Sequence, residues 1–593
     1  MATIANCKIE VAHTNPGINV RLTARQGECP GIEYLDVELS AATPTRPAPI
    51  TLRWELPVVD MHQRTCANAQ TKLCGMGRPR TQCSAAHEAP VWSMFNYAGK
   101  NRMTFAVADA INTCELSDQH AEETACLTCR IDLFMDPVPP LTAYRTTVRF
   151  DTRPLPYEDA LRDVGDWWAA MPAYTPAPVP EHARLPMYSS WYSFHLGITP
   201  EVIEHQCRLA KAIGMDSVIV DDGWQTDDKQ RGYAYCGDWE AAPGKFPDFR
   251  AHVDRVHAMG MKYLLWFSVP FVGIHTKAYA RFKDKFLNPP IPTDTKKREW
   301  FTLDPRFPDV REYLIGVYER CLREFDLDGF KLDFVDCFTT CETTKDAFGD
   351  GRDIQSVPEA ADRLLTDVIA RLRAIKPEIM IEFRQSYIGP AMRKYGNIFR
   401  VGDEPNNAAG NRVGSMLLRA LSGNTAIHSD MVMWHPRDTV ESAAMQLLHA
   451  VFTVPQISVL LDKIPENHLA MIRHYLAFWR DHRDVLLDGR IHPHQPQHAY
   501  PAVVSENDAK VAGAAYANGF IPLPDVKDRE LILINGTLEN RLAIELPTAI
   551  GRRRVRIFTC TGETVMDAIC EWNAGLHGLE VPSAGTAILS CCQ

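Results

Sequence analysis

The stretch that decides the fold is Leu327-Asp328-Gly329-Phe330-Lys331-Leu332-Asp333-Phe334. Its apolar residues predict a short buried strand that brings a lysine and an aspartate to its carboxyl end. Because side chains alternate across a strand, Lys331 and Asp333 point to the same side. A neighbouring cation keeps a carboxylate ionised, so the pairing predicts that Asp333 can act as a nucleophile.

Similar apolar segments recur on both sides of this strand. The predicted strands are residues 187–194, 217–224, 262–269, 329–336, 379–385, 398–403, 425–432 and 456–461. Amphipathic segments separate them, and the clearest predicts a helix over 201–213, with Thr199 as N-cap, Pro200 at its first position and Gly214 after its end. Eight such units predict a (β/α)8 TIM barrel. A doubly wound open sheet is the alternative, but the glycine-rich phosphate loop that it favours is missing.

The segments that flank the barrel have a different pattern. Short alternating runs at 19–23, 51–56 and 146–150 predict an N-terminal β-sandwich over residues 1–170. A proline-rich stretch predicts a stiff linker over 171–186, followed by the barrel over 187–485. Runs at 531–536, 555–558 and 586–589 predict a small C-terminal β-sandwich domain over 486–593. The fold class is therefore a multidomain α/β protein.

The composition excludes several classes of partner. The net charge of −11 over 593 residues argues against nucleic acid, which needs a basic face. The sequence shows neither a signal peptide at its start nor a long apolar run, which predicts a cytoplasmic protein with no membrane partner. The 17 cysteines are an odd number, which fits a reducing compartment. Cys126 and Cys129 form a lone CxxC, which we interpret as buried thiols rather than a metal site. We expect no metal and no cofactor.

Charged and aromatic residues follow most of the predicted strands, where the catalytic residues of a barrel gather. In strand order the candidates are Asp221, Asp222 and Trp224; Trp266; Lys331 and Asp333; Glu382 and Arg384; Arg400 and Asp403; and His428, Asp430 and Trp434. Each alone has a structural explanation, such as a helix cap, an ion pair, core packing or a buried histidine. A core does not need so many ionisable groups at one face, so their convergence predicts a functional cleft.

The residue types in this cleft suit a sugar. Carboxylates accept hydrogen bonds from hydroxyls, and an indole packs on the C–H face of a pyranose. Asp333 is the predicted nucleophile, and Asp403 is the predicted general acid, because neighbouring carboxylates such as Glu404 should raise its pKa. Asp430 is a second candidate for the acid. Such a pair retains the anomeric configuration when its carboxyl groups are about 5–5.5 Å apart and inverts it at roughly 6.5–9.5 Å.

Several motifs in the same region resemble the clan D α-galactosidases, and most closely glycoside hydrolase family 36. The resembling segments are Val220-Asp221-Asp222-Gly223-Trp224, Gly237-Asp238-Trp239, Lys245-Phe246-Pro247, Gly260-Met261-Lys262 leading to Leu265-Trp266-Phe267, and Phe330-Lys331-Leu332-Asp333. The combination of DDGW with KxD at this distance is specific. The flanking β-domains also suit the family.

The resemblance implies a retaining, exo-acting hydrolase of α-linked sugars, with a small carbohydrate as its partner. Asp333 matches the nucleophile and Asp403 the acid/base. By the same resemblance, Asp221 and Asp222 hold O4 and O6 of galactose, Lys331 lies on the O3/O4 side, and Glu382 and Arg400 lie near the 2-hydroxyl. The oligomeric state stays open, with a homo-oligomer formed through the N-terminal domain as one alternative.

The sequence departs from the family pattern at three places. The nucleophile segment has Leu332 where family members usually carry tryptophan, and residues 382–386 replace a cysteine- and glycine-rich loop. Gly402-Asp403-Glu404-Pro405 stands for the usual Ser-Asp-Asn. These changes leave room for an α-N-acetylgalactosaminide or a β-L-arabinopyranoside as substrate.

Three other functions stay open at this point. A transglycosylase of the raffinose-synthase type would use the same two carboxylates. A metal-dependent barrel hydrolase would need Asp221, Asp222, Asp333 and Glu382 as ligands, and Lys331 would oppose the metal ion. A non-catalytic sugar-binding protein would tolerate loss of the catalytic pair. Both acids of that pair, Asp333 and Asp403, are present here, which argues against this function.

Overall fold

The computed structural model describes residues 2–65, 72–73, 79–290 and 298–592. Three units follow one another along the chain: two antiparallel sheets, a parallel barrel and a C-terminal pair of sheets. Cys66 and Cys74 lie outside the described residues. None of the described helices is both long enough and apolar enough to cross a membrane.

The central unit is a ring of eight parallel strands. We label them in chain order as β1 (Met187–Ser189), β2 (Ser217–Val220), β3 (Lys262–Ser268), β4 (Gly329–Asp333), β5 (Met380–Arg384), β6 (Ile398–Arg400), β7 (Ala426–His428) and β8 (Gln456–Ile457). Each strand from β1 to β6 pairs with the next, and β8 pairs with β1. Single bridges from His428 to Val454 and from Val432 to Ile457 join β7 to β8. The predicted (β/α)8 barrel is confirmed.

The barrel strands end earlier than the apolar runs suggested. The run at 187–194 leaves the sheet after Ser189 and turns into the helix Trp191–Phe194. The run at 217–224 leaves it after Val220, so Asp221 and Asp222 stand on the loop above the sheet. The predicted helix over 201–213 spans Pro200–Ala212, and Thr199 occupies the N-cap position without a capping hydrogen bond from its side chain.

Helices surround the ring, and the largest hydrophobic cluster fills the layer between strands and helices. The helices of the described chain are Tyr157–Ala169, Trp191–Phe194, Pro200–Ala212, Phe249–Ala258, Lys277–Phe282, Pro308–Phe325, Val357–Ile375, Pro390–Tyr395, Ala408–Leu421, Val440–Leu448, Glu466–Asp481 and Arg483–Leu486. A hairpin of Phe271–Gly273 with Trp300–Thr302 extends the loop after β3.

The proline-rich segment lies against the barrel rather than spanning open space. The Ala177 amide donates to the Arg393 carbonyl (2.8 Å), and the Asn397 side chain donates to the Pro178 carbonyl (3.0 Å). Further on, Ala183 joins the small apolar cluster that closes the lower end of the barrel. The hydroxyl of Tyr174 in the same segment accepts a hydrogen bond from the amide of Ala110 in the sandwich (2.9 Å), so the segment contacts both units.

The N-terminal sheets face each other across their own hydrophobic core. In spatial order, one contains Ala2–Ile4, Cys7–His13, Ile50–Pro57, Cys126–Leu133, Cys114–Ala121 and Arg80–Cys83; the other contains Ile18–Gln26, Ile32–Thr45, Leu141–Asp151, Asn101–Val107, Val91–Phe95, Gln63–Thr65 and Lys72–Leu73. Cys129 is fully buried in this core. The predicted N-terminal β-sandwich is confirmed.

The C-terminal unit also consists of two sheets with a core between them. The larger contains, in spatial order, Arg490–His494, Ala502–Glu506, Lys510–Ala515, Glu530–Asn535, Thr586–Cys591, Gly551–Phe558 and Thr564–Trp572; the smaller contains Ile521–Pro522, Leu542–Leu546 and Gly575–Leu579.

Candidate active site

The inside of the barrel is built in tiers. The lowest tier is apolar and consists of Met187, Ile219, Leu264, Met380, Ile398 and Ala426. Two residues further along the chain the inside of the ring is mostly polar, with Ser189, Trp266, Glu382, Arg400 and His428 on strands and Asp221 directly after β2, and β4 adds Lys331. A third tier follows after another two residues, with Asp333, Arg384 and Asp430. The strand period of two therefore stacks the predicted site residues inside the ring.

Asp333 is held by a complete set of donors. Its Oδ1 accepts from Nε of Arg384 (2.8 Å), from the backbone amide of Phe334 (2.9 Å) and from the hydroxyl of Tyr387. Its Oδ2 accepts from Nε1 of Trp266 (3.1 Å). Burial alone would raise the pKa of Asp333, but Arg384 and Lys331 hold it well below its usual range. The carboxylate is therefore ionised and fixed in orientation at the end of β4.

The structure corrects the predicted pairing of Lys331 with Asp333. Nζ of Lys331 donates to Oδ2 of Asp221 at 2.6 Å, and both side chains are almost fully buried. Two positions along a strand span about 6.6 Å, so a lysine one tier below Asp333 meets a carboxylate of its own tier more easily. Arg384 takes the predicted role of ion-pair partner, although Lys331 still lowers the pKa of Asp333 through its charge.

Asp222 differs electrostatically from its neighbour Asp221. Its backbone amide donates to Oδ1 of Asp221 (2.9 Å), and its own Oδ1 accepts from the side chain of Gln225 (2.7 Å). Burial, with the adjacent charge of Asp221, raises the pKa of Asp222 to about 7. The carboxyl group of Asp222 therefore titrates near neutral pH.

The raised pKa of Asp222 gives a prediction about stability. In the unfolded chain this group titrates near its ordinary pKa, so the folded state loses stability as the pH rises from about 4 to 7. We expect Asp222→Asn to raise the free energy of unfolding above pH 7, by on the order of 1 kcal/mol or more, and to leave it unchanged near pH 4. Urea unfolding at both pH values measures this, with Asp227→Asn as control. A gain of the same size at both pH values would contradict it.

Arg400 links three carboxylates. Its guanidinium donates to Oδ1 of Asp430 and of Asp403 (3.0 Å for the latter) and lies 3.5 Å from Oε1 of Glu382. Arg400, Glu382 and Asp430 are fully buried. Burial raises the pKa of Glu382 against the attraction of Arg400. Arg400 thus balances the negative charge of the carboxylates on or after β5, β6 and β7, whereas Lys331 balances that of Asp221 after β2.

Asp403 is the most open carboxylate of the group. Its side chain is 52% exposed, whereas that of Asp333 is 7% exposed. The expectation that like charges raise its pKa is wrong. Burial raises the pKa of Asp403, but the attraction of Arg400, with Lys331 and Arg384, outweighs burial and lowers it. Lys331 and Arg384 thus lower the pKa of both Asp333 and Asp403.

Asp430, the second candidate for the acid, is fully engaged. Its Oδ2 accepts from the hydroxyl of Tyr192 (2.8 Å) and from the amide of Glu404 (2.7 Å), and its Oδ1 from Arg400. Burial raises its pKa to about 6. The side chain of Asp430 is fully buried, whereas that of Asp403 is half-exposed, and the contacts of Asp430 indicate that it orients the loop that carries Asp403.

Three predicted sugar-contacting residues face elsewhere. Trp224 donates from Nε1 to the carbonyl of Trp266 (2.9 Å) and stacks on Trp239 in the core. Trp434 donates to Nδ1 of His468 on the helix Glu466–Asp481. His428 lies in the buried middle tier against the Ala183 carbonyl (2.7 Å), and burial lowers its pKa to about 4. These side chains support the walls of the barrel, which corrects their prediction as substrate contacts.

Several residues of the site have no counterpart in the sequence prediction. Tyr387 and Tyr192 each follow a strand by three residues and donate to Asp333 and Asp430. Gln456 donates to Oε2 of Glu382 from the opposite side of the ring. Uncharged polar residues are common near strand ends. The sequence alone does not show which of them contact a site residue, because the partner comes from another strand of the barrel.

The N-terminal sandwich reaches the rim of the site. The Glu88 amide donates to the Ser386 carbonyl (3.3 Å), one residue before Tyr387. Gly389, with φ of +135°, lies so close to this loop that an added Cβ would be 2.5 Å from the Glu88 carbonyl oxygen. The loop after β5 is therefore clamped between the barrel and the sandwich.

An eight-stranded parallel barrel with an ionised, donor-held carboxylate at the end of β4 defines the class: a barrel protein with an acidic cleft at its carboxyl face. The Melibiase family model matches residues 179–489, more than half of the chain. The protein belongs to the Melibiase family, which confirms the resemblance drawn from its motifs.

Individual relatives are more distant. The chain is 24% identical over 159 residues to α-galactosidase Mel36A of Lactobacillus acidophilus, covering 26% of this chain and 20% of that protein. It is 26% identical over 198 residues to an "A type blood alpha-D-galactosamine galactosaminidase" of Flavonifractor plautii, covering 31% of this chain and 17% of that protein. The aligned part therefore spans about a fifth of these relatives.

A solved structure covers the whole chain. The α-galactosidase AgaA of Geobacillus stearothermophilus, in complex with raffinose, superposes with a TM-score of 0.65 at 14% identity, covering 100% of this chain and 88% of that one. At this identity the likeness concerns the fold, and it includes both flanking β-units.

Proposed function

We propose that the protein is a retaining, exo-acting α-glycoside hydrolase of the α-galactosidase type. The observation that carries the proposal is the state of Asp333: a buried, ionised carboxylate, oriented by Arg384, Tyr387 and Trp266 at the carboxyl end of β4. A carboxylate in this state can attack an anomeric carbon, and an open carboxyl group, Asp403, lies within the field of the same cations.

In the proposed first step, an oxygen of Asp333 forms a bond to the anomeric carbon as the bond to the glycosidic oxygen breaks. The leaving oxygen takes the proton of Asp403, which becomes a carboxylate. In the second step Asp403 removes a proton from water, the water oxygen bonds to the anomeric carbon, and Asp333 leaves with its electron pair. Two displacements on opposite faces return the original anomeric configuration.

The electrostatics of Asp403 fit a residue that changes role between the steps. A bound sugar would cover its exposed half and remove water, which raises the pKa of a carboxyl group towards what an acid needs. Once Asp333 is esterified its negative charge is lost, and the nearby cations then act more strongly on Asp403. Its pKa falls, which suits the general base of the second step.

The α-galactosidase type is supported by the family and by the carboxylates of the second tier. The Melibiase match and the relatives named as α-galactosidases point to α-linked galactose. Asp221, which pairs with Lys331, and Asp222 would accept hydrogen bonds from sugar hydroxyls. Lys331 pairs with Asp221 and Arg384 pairs with Asp333, and these two cations would repel a divalent metal, which disfavours the metal-dependent alternative.

A second candidate is hydrolysis of an α-glycoside that is modified at the 2-position. The specific observation is the relative named as an α-D-galactosamine galactosaminidase, whose alignment covers more of this chain than that of Mel36A. The replaced loop after β5, held against the sandwich at Ser386, also differs from the family pattern. Transglycosylation of the raffinose-synthase type remains an alternative with the same two carboxylates.

A panel of aryl glycosides tests these functions. We expect turnover of p-nitrophenyl α-D-galactopyranoside, none of the β-anomer, and release of α-galactose as the first product by NMR. Faster turnover of α-N-acetylgalactosaminide, α-galactosaminide or β-L-arabinopyranoside would select the second candidate. A galactosyl product formed from raffinose at high acceptor concentration would select the transglycosylase, and absence of turnover on the whole panel would refute the proposal.

The acid role of Asp403 predicts a dependence on the leaving group. Asp403→Ala should lower kcat/KM for poor leaving groups by about 100-fold or more, because only these need a proton, and much less for activated aryl glycosides. A series of aryl α-galactosides of graded phenol acidity measures this, with Glu404→Ala as the neighbouring control. Equal losses along the series would contradict the acid role.

A further inference from the structure

A chain of four buried side chains crosses the inside of the barrel. It runs from His428 on β7 through Gln456 on β8 and Glu382 on β5 to Arg400 on β6, and all four side chains are almost completely buried. The mechanism proposed above uses neither His428 nor Gln456. Their hydrogen bonds have a definite direction, so the effect of each residue on the next can be followed atom by atom.

The side-chain amide of Gln456 is oriented by two acceptors. Burial lowers the pKa of His428 to about 4, so its ring is neutral, and Nε2 carries the proton that it donates to the Ala183 carbonyl (2.7 Å). Nδ1 of His428 is therefore an acceptor. Nε2 of Gln456 donates to this Nδ1 (3.1 Å) and to Oε2 of Glu382 (2.5 Å). The reversed amide would place its oxygen against two acceptors, so Gln456 meets Glu382 as a donor.

This contact holds Glu382 short of a direct hydrogen bond with Arg400. Oε1 of Glu382 lies 3.5 Å from Nε of Arg400, and within the described chain neither atom has a hydrogen-bond partner. The two outer nitrogens of the guanidinium donate instead, one to Asp430 and the other to Oδ1 of Asp403 (3.0 Å). Without Gln456, Glu382 could close the gap to Nε, because a direct hydrogen bond to a cation stabilises a buried carboxylate.

We propose that Gln456, oriented by His428, is a positioning residue for Asp403: it restrains Glu382 and so leaves the guanidinium of Arg400 to hold the acid/base carboxyl group. The proposal rests on the proposed function, in which Asp403 gives its proton to the leaving group and later takes one from water. It gives His428 and Gln456 a part in the reaction through contacts that need no access to the substrate.

The pKa of Asp403 should report this restraint. The charged and titratable groups that act on Asp403 come from several elements: Tyr192 after β1, Lys331 on β4, Arg384 on β5, Arg400 on β6, Asp430 after β7 and the adjacent Glu404. Among these groups of the described chain, Arg400 is the one that both donates to Asp403 and lies beside Glu382. If Glu382 moves onto Nε, it shares the charge of Arg400, and the pKa of Asp403 should rise.

The test is the pH profile of Gln456→Met, which keeps the volume of the side chain and removes its amide. Asp403 must be protonated in the first step, so the alkaline limb of kcat/KM follows its pKa in the free enzyme. With phenyl α-D-galactopyranoside, whose leaving group needs a proton, we expect this limb to move to higher pH by about 0.5 or more. His428→Leu should move it in the same direction by less.

The matched control is Gln206→Met. Gln206 is equally buried, but it lies on the outer helix Pro200–Ala212 and donates to Asp462 (2.7 Å), so its loss should leave the limb in place. A lower kcat/KM with an unmoved limb in Gln456→Met would indicate a merely structural role and overturn the proposal, as would an equal movement in Gln206→Met. If Gln456→Met does not fold, Gln456→Asn, whose amide is one methylene shorter, carries the same expectation.

A measurement without turnover separates this proposal from the proposed function. If the unaltered protein hydrolyses no glycoside, the proposed function fails, and carbon-13 NMR titration of aspartate carboxyl groups then decides the positioning role, with Asp403→Asn to assign the signal. A higher pKa of Asp403 in Gln456→Met than in the unaltered protein would support it, and an unchanged pKa would overturn it.

Discussion

Asp333→Ala is expected to lower kcat on p-nitrophenyl α-D-galactopyranoside by at least about 1,000-fold, while binding of galactose is largely retained. The variant removes the proposed attacking oxygen but leaves Arg384, Trp266 and the second-tier carboxylates that are proposed to bind the sugar. Steady-state kinetics and galactose titration measure the two effects. Near-normal turnover would show that the nucleophile is another residue.

A small anion sharpens this experiment. The space left by the missing carboxylate lies beside the Arg384 guanidinium, so azide can enter and attack the anomeric carbon in place of Asp333. Because one displacement replaces two, the product should be the β-galactosyl azide. Asp336→Asn, three residues along, is the matched control and should keep turnover of the aryl substrate within about three-fold. Rescue that yields the α-azide would contradict the role of Asp333.

The second large effect is expected at Arg400. Arg400→Met keeps most of the side-chain volume but leaves Glu382 and Asp430 buried without their cation. Breaking a buried ion pair by removing one partner costs about 3–5 kcal/mol of stability, and the loss here should lie in that range. Activity should fall as well, because Asp403 loses the contact that orients it.

A second substitution separates charge from packing. In the Arg400→Met background, Asp430→Asn removes one of the stranded charges and should restore part of the lost stability, although Asp430→Asn alone is expected to destabilise the protein. Urea unfolding of the two single variants and the double variant gives the coupling energy. A loss below about 1 kcal/mol for Arg400→Met, or no recovery in the double variant, would refute the proposed balance of charges.

The fold was largely predictable because it depends on local patterns. Buried parallel strands give continuous apolar runs, and the eight runs from 187 to 461 correspond to the eight strands of the barrel. The sequence predicted strand ends that lie too far along the chain. The first strand, for example, was predicted to end at Phe194 and ends at Ser189, because apolar residues continue after the hydrogen bonds of the sheet stop. Residues at those ends, such as Asp221, are therefore on loops.

The site was predictable in composition but less so in its pairings. The sequence places Lys331 and Asp333 on one strand, which suggested that they pair. In the structure Lys331 pairs with Asp221 and Arg384 pairs with Asp333, so each contact joins residues of one tier on different parts of the ring. The same limitation explains Asp403: nearby Glu404 suggested a raised pKa, and Arg400, Lys331 and Arg384 reverse the effect. Long side chains choose partners by distance in space, which strand order alone does not specify.

The contact between Glu88 and the loop after β5 has a consequence for protein engineering. The family match begins at residue 179 and ends at 489, which invites excision of that fragment as a minimal catalyst. Such a fragment would lack the backbone of Glu88 that contacts Gly389 and Ser386. Tyr387, whose hydroxyl donates to Asp333, lies between these two residues. Chimeras that exchange the first 170 residues must therefore reproduce this short backbone contact, whatever else they replace.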